Sequence, residues 1–223
     1  MGTKSTKTTK GSETDSKRPD AEPPRSLEIA KRGIKTGRDF SGFMSALMSD
    51  LIEVAELDTG KRELKLERLH PLQELNAARD RFCDEAAEKH IRVEVSAYAD
   101  LSVVKADRRA LRSILDNLLS NAIRFTPSEG EILLAAEEGK DFVQFTVRDT
   151  GRGIEAERLS TIFDRFNTFS EKGTGLGLAL VRRLVESLGG QVAVESRLGH
   201  GATFRFTLPV AVAEDVRHPV EVG

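Results

Sequence analysis

The stretch DNLLSNAIRF, Asp116 to Phe125, decides the fold. Leu118, Leu119 and Ala122 continue a stripe with Leu111 and Leu115, about 100–200° from Asn117 on a helical projection, which marks the core side of a helix over Asp107–Arg124. Asn121, Arg124 and Phe125 fall within about 80° of Asn117. A ribbon of two amides, a cation and an aromatic ring therefore runs beside the apolar stripe. Asparagine inside a helix is unfavourable unless something there uses it. Amide, guanidinium and aromatic groups together can hold a metal-bound phosphate and stack a planar ring. On this helix alone, a ligand site and a solvated polar face are equally open readings.

Two glycine-rich stretches follow. DTGRGI, Asp149 to Ile154, closes an apolar strand, so its Asp can accept from an amino group while Gly151 and Gly153 permit close backbone approach. A simple turn explains it as readily. KGTGLGL, Lys172 to Leu178, opens a helix, and Gly173, Gly175 and Gly177 let backbone N–H groups turn toward an anion at its positive end. It is neither a P-loop nor a dinucleotide fingerprint, since the lysine precedes the glycines and no strand leads straight in.

Outward from these, two strands, Glu131–Glu138 and Phe142–Asp149, are expected to face each other as a hairpin. A helix runs from Pro71 to about Lys89, with Leu72, Leu75, Ala78, Phe82 and Ala86 inward and Cys83 as a small packing residue. Short strands are expected at Ile91–Ser96 and Ser102–Ala106, a helix at Glu155–Phe163, and a loop on to Gly173. Leu176–Leu188 is a helix closed by Gly189-Gly190, and strands Gln191–Ser196 and Ala202–Pro209 end the fold. The expected architecture over 71–210 is an α/β (α+β) two-layer sandwich, a mixed, mostly antiparallel sheet with helices on one face. It is preceded by a long amphipathic helix over 26–60 and a charged connector, 61–70. That helix must bury its stripe on a partner, which allows a homodimer. Residues 1–25 are too poor in apolar side chains to order themselves, and 211–223 form a tail.

The composition closes off several classes. In 223 residues, 34 Lys and Arg balance 36 Asp and Glu, so no global basic field favours nucleic acid. No stretch approaches the ~20 apolar residues of a membrane span. A single cysteine makes neither an internal disulfide nor a cysteine-rich zinc site, which fits a cytoplasmic protein.

Taken in order, Asn117-x-x-x-Asn121, Asp149-x-Gly151-x-Gly153, Phe163-x-x-Phe166 and Gly173-x-Gly175-x-Gly177 resemble the N, G1, F and G2 boxes of the sensor histidine kinase ATP-binding domain, a member of the ATPase superfamily that includes DNA gyrase. The resemblance covers Pro71 to Pro209 and closes on GHGATFRFTLP; the helix over 27–57 is similar to the second helix of the family's dimerisation hairpin. It implies ATP and Mg²⁺ as ligands. Asn121 would ligate Mg²⁺ beside Asn117, Arg124 would contact phosphate, and Phe125 would flank the base. Asp149 would accept from the adenine amino group, with Gly151, Gly153, Ile154 and Thr203 around it. Phe166 belongs to a lid over 155–172, and Lys172, Gly173, Thr174, Gly175, Leu176 and Gly177 would receive the phosphates. By the same resemblance, Asn117, Asn121 and Arg124 would carry the catalytic roles. Asn117 stands where hydrolase relatives have a water-activating Glu, and an amide is no general base near neutral pH.

The family phosphorylates a histidine that is followed by an acidic residue. Here His70, His90, His200 and His218 are followed by Pro, Ile, Gly and Pro. The resemblance therefore implies a Mg-ATP-binding kinase core that passes the γ-phosphoryl to a histidine supplied in trans, with a response regulator downstream. The alternative is a nucleotide-binding regulatory module without transfer.

Overall fold

The computed structural model describes residues 63–167 and 174–212, with Gly2 and six positions between 44 and 55. Those six, Met44, Leu47, Met48, Leu51, Ile52 and Ala55, are helical. The rest of the expected 26–60 helix, residues 1, 3–25 and 213–223 of the two tails, and Lys172 and Gly173 lie outside the described residues.

The sheet grows from the hairpin. Strands β4 (Glu131–Glu138) and β5 (Phe142–Asp149) pair antiparallel, Ile132 opposite Asp149 and Glu138 opposite Val143. β7 (Ala202–Pro209) lies antiparallel to β5, and β6 (Val192–Ser196) antiparallel to β7. β2 (Arg92–Ala97) completes the opposite edge by pairing parallel with β4, so the order is β2-β4-β5-β7-β6. Alternation sends Val143, Phe145 and Val147 inward from β5, and Phe204, Phe206 and Leu208 from β7. Phe145 and Phe206 are register partners whose rings stack at 4.9 Å.

Helix α3 (Arg108–Phe125) covers this face, with Leu111, Leu115, Leu118 and Leu119 buried as its stripe requires. It packs beside α1 (Pro71–Arg81) and α5 (Gly177–Ser187). The expected continuous helix over 71–89 is broken. Phe82 leaves the helical region at φ −110° and ψ 10°, and its N–H reaches back only to the Arg79 carbonyl. A second short helix, α2 (Cys83–Glu88), follows, and Cys83 is exposed rather than packed. Likewise, the helix expected over 155–163 is a single turn, α4 (Ala156–Leu159).

Part of the charged connector is a strand. β1 (Leu66–Leu69) pairs antiparallel with β3 (Val104–Asp107) as a separate two-stranded sheet. Asp107 caps α3: its Oδ1 accepts from the Ala110 N–H at 2.9 Å, and its Oδ2 accepts from the Lys65 N–H at 2.8 Å. Nearby, Arg108 pairs with both Glu67 and Glu74. Burial pushes the Glu74 carboxyl above its ordinary range, and the Arg108 guanidinium partly offsets this. At the other end of α3, Lys89 Nζ donates to the carbonyls of Ile123, Arg124 and Thr126 at 2.6, 3.2 and 3.4 Å.

Candidate functional site

The polar ribbon of α3 meets the start of α5. Asn117 Nδ2 donates to the Ser113 carbonyl at 2.9 Å, which fixes the amide and leaves Oδ1 facing the first residue of α5. A Cβ on Gly177 would lie 2.5 Å from that oxygen, so any side chain there would have to displace the Asn117 amide. Asn121, one turn on, is half-buried, as is Phe125, while Arg124 is exposed. Leu176 caps α5 and is fully buried, and its N–H donates to Thr174 Oγ1 at 3.2 Å. The amide end of α5, which carries partial positive charge, thus opens beside Asn117.

Asp149 is buried because the alternation that buries Val143, Phe145 and Val147 continues to the last residue of β5. Its Oδ1 accepts from the N–H groups of Gly151 at 2.8 Å and Ala202 at 3.3 Å. Both bonds fall on one oxygen, which leaves Oδ2 for a donor from outside. Burial raises its pKa above the ordinary carboxylate value, and the two backbone N–H groups draw it part of the way back.

The Asp149–Ile154 turn is held from several sides. The Arg152 N–H donates to the Phe125 carbonyl at 3.3 Å, and its own carbonyl accepts from the Gly199 N–H at 2.7 Å. The Ile154 N–H donates to Ser196 Oγ, which in turn donates to the Gly201 carbonyl at 2.6 Å. Gly153, at φ 69°, leaves no room for a side chain: a Cβ would meet the Arg197 carbonyl oxygen at 2.1 Å. A cleft of about 430 Å³ opens here between Arg124, Phe125, Thr126, Gly151, Arg152 and Gly199. On its wall the Arg152 guanidinium lies 4.6 Å above the Phe125 ring.

Beyond α4, the Phe163 ring meets Phe204 edge-on at 6.4 Å, and Phe166 is exposed in the left-handed region at φ 62°. Gly175, also left-handed, packs on the Phe166 backbone, where a Cβ would come within 2.7 Å. The two motifs therefore touch through their main chains.

Asn117 and Gly177 are brought together, as are Asp149 with Gly151, and Phe166 with Gly175. Thr203 is not placed beside Asp149. It falls on the opposite pleat, as register partner of Arg148, and Ala202 reaches the carboxylate instead through its backbone N–H. Three contributors went unread in the sequence: Ala202, Ser196 and Arg152. The turn glycines flanking His200 were the available signal for the first, since Gly201 at φ 76° lies so close to the Asp149 carbonyl that a Cβ would stand 1.9 Å from it.

The site fits a nucleotide: a buried carboxylate with one oxygen uncommitted, a helix amide end, and glycines where backbone must approach closely. Among the described residues no three His, Cys, Asp or Glu side chains cluster to hold a cation.

Residues 106–212 match the family described as histidine kinase-, DNA gyrase B-, and HSP90-like ATPase. The sensor protein DivL of Caulobacter vibrioides is 37% identical over 162 residues, 73% of this chain and 21% of that protein. The circadian input-output histidine kinase CikA of Synechococcus elongatus is 33% identical over 193 residues, 82% of this chain and 25% of that protein. Among solved structures, full-length ShkA in complex with AMPPNP superposes with a TM-score of 0.71 at 33% identity, over 83% of this chain and 42% of that one. The catalytic domain of histidine kinase ThkA superposes at 0.61 and 29% identity, over 66% of this chain and 97% of that one. The chain thus spans a quarter or less of the two curated relatives. No helix among the described residues is long and apolar enough to cross a membrane.

Proposed function

Residues 106–212 of this chain belong to the histidine kinase-, DNA gyrase B-, and HSP90-like ATPase family, and from that premise we propose that the protein is the Mg-ATP-binding core of a two-component kinase, delivering the γ-phosphoryl to a histidine supplied in trans. The observation that carries the reading is Asp149, buried at the end of β5 with Oδ1 held by two backbone N–H groups and Oδ2 uncommitted. That arrangement suits recognition of an amino group on a planar base. Asn117 and Asn121 would orient the metal-bound phosphates, Arg124 would add positive charge, and the amide end of α5 would accept the chain of phosphates.

The metal would supply charge neutralisation at the phosphates, with Asn121 as its protein ligand. Asn117 cannot take a proton from water, so hydrolysis should be slow and the bound nucleotide should persist until an acceptor arrives. Catalysis would then rest on positioning and electrostatics rather than on a covalent intermediate. The acceptor would be a histidine on a dimerisation hairpin, and a response regulator the next carrier.

A binding module without transfer is the second reading, favoured by the absence of any His-Glu or His-Asp pair in the sequence. Incubation with γ-labelled ATP, with and without a separate hairpin domain bearing the acceptor histidine, separates the two. Label on that domain is the expected result. Nucleotide binding with no transfer to any cognate hairpin would leave the module.

A further inference from the structure

We propose that Arg152 is a positioning residue of this site, acting by stacking on Phe125 and fixing the plane of the ring against which a base packs. The proposal rests on the nucleotide reading of the site. Arg152 stands between the two glycines of Asp149-x-Gly151-x-Gly153, where the need for backbone freedom says nothing about the intervening side chain. Its guanidinium nevertheless lies 4.6 Å from the Phe125 ring centroid.

The main chain sets up this contact. The Arg152 N–H donates to the Phe125 carbonyl at 3.3 Å, and a Cβ on Gly151 would meet that same carbonyl oxygen at 2.7 Å. The Arg152 carbonyl is held in turn by the Gly199 N–H at 2.7 Å. Arg152 is therefore pinned at both backbone groups, and its side chain is presented to the ring from a fixed origin.

Phe125 needs such support. It is the last residue of α3, and Thr126 already has extended backbone at φ −81° and ψ 131°, so no following helical turn restrains the ring. A guanidinium suits the task because it is flat, weakly hydrated and stacks on an aromatic face, whereas an ammonium reproduces only its charge. The same loop carries Asp149, whose Oδ1 accepts from the Gly151 N–H. Ring plane and carboxylate are thus tied to one backbone segment, which would set the two groups that contact a base relative to each other.

The test uses calorimetric titration of the full chain with Mg-ATP and, separately, with adenosine. Arg152→Ala should weaken both ligands by the same factor, about three- to tenfold. Arg152→Lys should recover part of the loss, and Arg152→Ala added to Phe125→Ala should cost nothing further. Phe125→Leu replaces Phe125→Ala in the cycle if the latter fails to melt cooperatively. Unchanged affinity in Arg152→Ala, with the unmodified chain still binding ATP, overturns this inference alone. A gain in affinity would mean that the guanidinium occupies the place of the base. Loss confined to ATP would make it a phosphate contact, and a full loss persisting without Phe125 would remove the ring from the argument; each of these overturns it too. If the unmodified chain binds neither ligand, the nucleotide reading fails and this inference fails with it.

Discussion

Asn117 Oδ1 occupies the space that a side chain on Gly177 would need, 2.5 Å from where its Cβ would stand. Gly177→Ala therefore has two opposed effects on stability. Alanine in a helix gains up to about 1 kcal/mol over glycine. Swinging the Asn117 amide away loses its bond to the Ser113 carbonyl, about 1 kcal/mol. Thermal stability should stay within a few degrees of the parent, while ATP affinity falls about tenfold, the scale of one charge-assisted hydrogen bond. A large drop in melting temperature with unchanged affinity would show that backbone, rather than Asn117, yields.

Asp149→Asn separates stability from binding. The folded state raises this carboxyl through burial, so it holds its proton more readily than the unfolded chain does. The favourable contribution is fully present below the ordinary value of 3.8 and is lost as pH rises through the raised folded value. At neutral pH the native state carries a buried charge that asparagine lacks, and the amide oxygen can still accept from Gly151 and Ala202. Melting at pH 7 should match or exceed the parent, with the advantage shrinking as the pH is lowered, while ATP binding is lost. A parent more stable than the variant at pH 7 would contradict this.

Two glycines of one turn should behave differently. Gly199 (φ 82°) has open space around its missing side chain, so Gly199→Ala should cost only the left-handed penalty, about 1–2 kcal/mol. At Gly201 (φ 76°) a Cβ would overlap the Asp149 carbonyl oxygen at 1.9 Å. Gly201→Ala should lower the urea midpoint by several times as much, or prevent folding. Equal midpoints for the two variants would refute the packing described around Asp149.

Lys89→Ala removes the cation that bonds the last carbonyls of α3. A loss of about 1–2 kcal/mol is expected, or roughly 2–8 °C in melting temperature for a chain of this size. Amide exchange should quicken in the last turn of α3, where Phe125 sits, before it does so elsewhere. Uniform exchange across the helix would argue against a local cap.

Strand β5 and its neighbour β4 were legible to the residue because a continuous apolar run and an alternating one meet across a short polar turn. Helix α3 was legible within a residue because a leucine stripe and the Asp107 cap mark it. What escaped depends on distant partners. Leu66–Leu69 shows three exposed residues of four, so it carries no alternation that could announce a strand; only pairing with β3 makes it one. Phe82 breaks a helix that contains no proline or glycine at that point, because its backbone turns to bring α2 against β2. Phe166 carries no local mark of its left-handed backbone, which is set by contact with Gly175. At the site, the motifs located Asp149 and Gly177, but a one-residue pleat decides between Ala202 and Thr203. Arg152 was invisible because its role lies in a stack rather than in a spacing.

Asp107 has a mechanical meaning. Its two carboxylate oxygens hold Lys65 on one side and Ala110 on the other, so a single side chain acts as a tie rod between the incoming chain and the first turn of α3. A pull on residue 65 would not be absorbed by slack at that point. It would reach the first turn of α3 directly, and α3 is the helix that also carries Asn117 and Asn121.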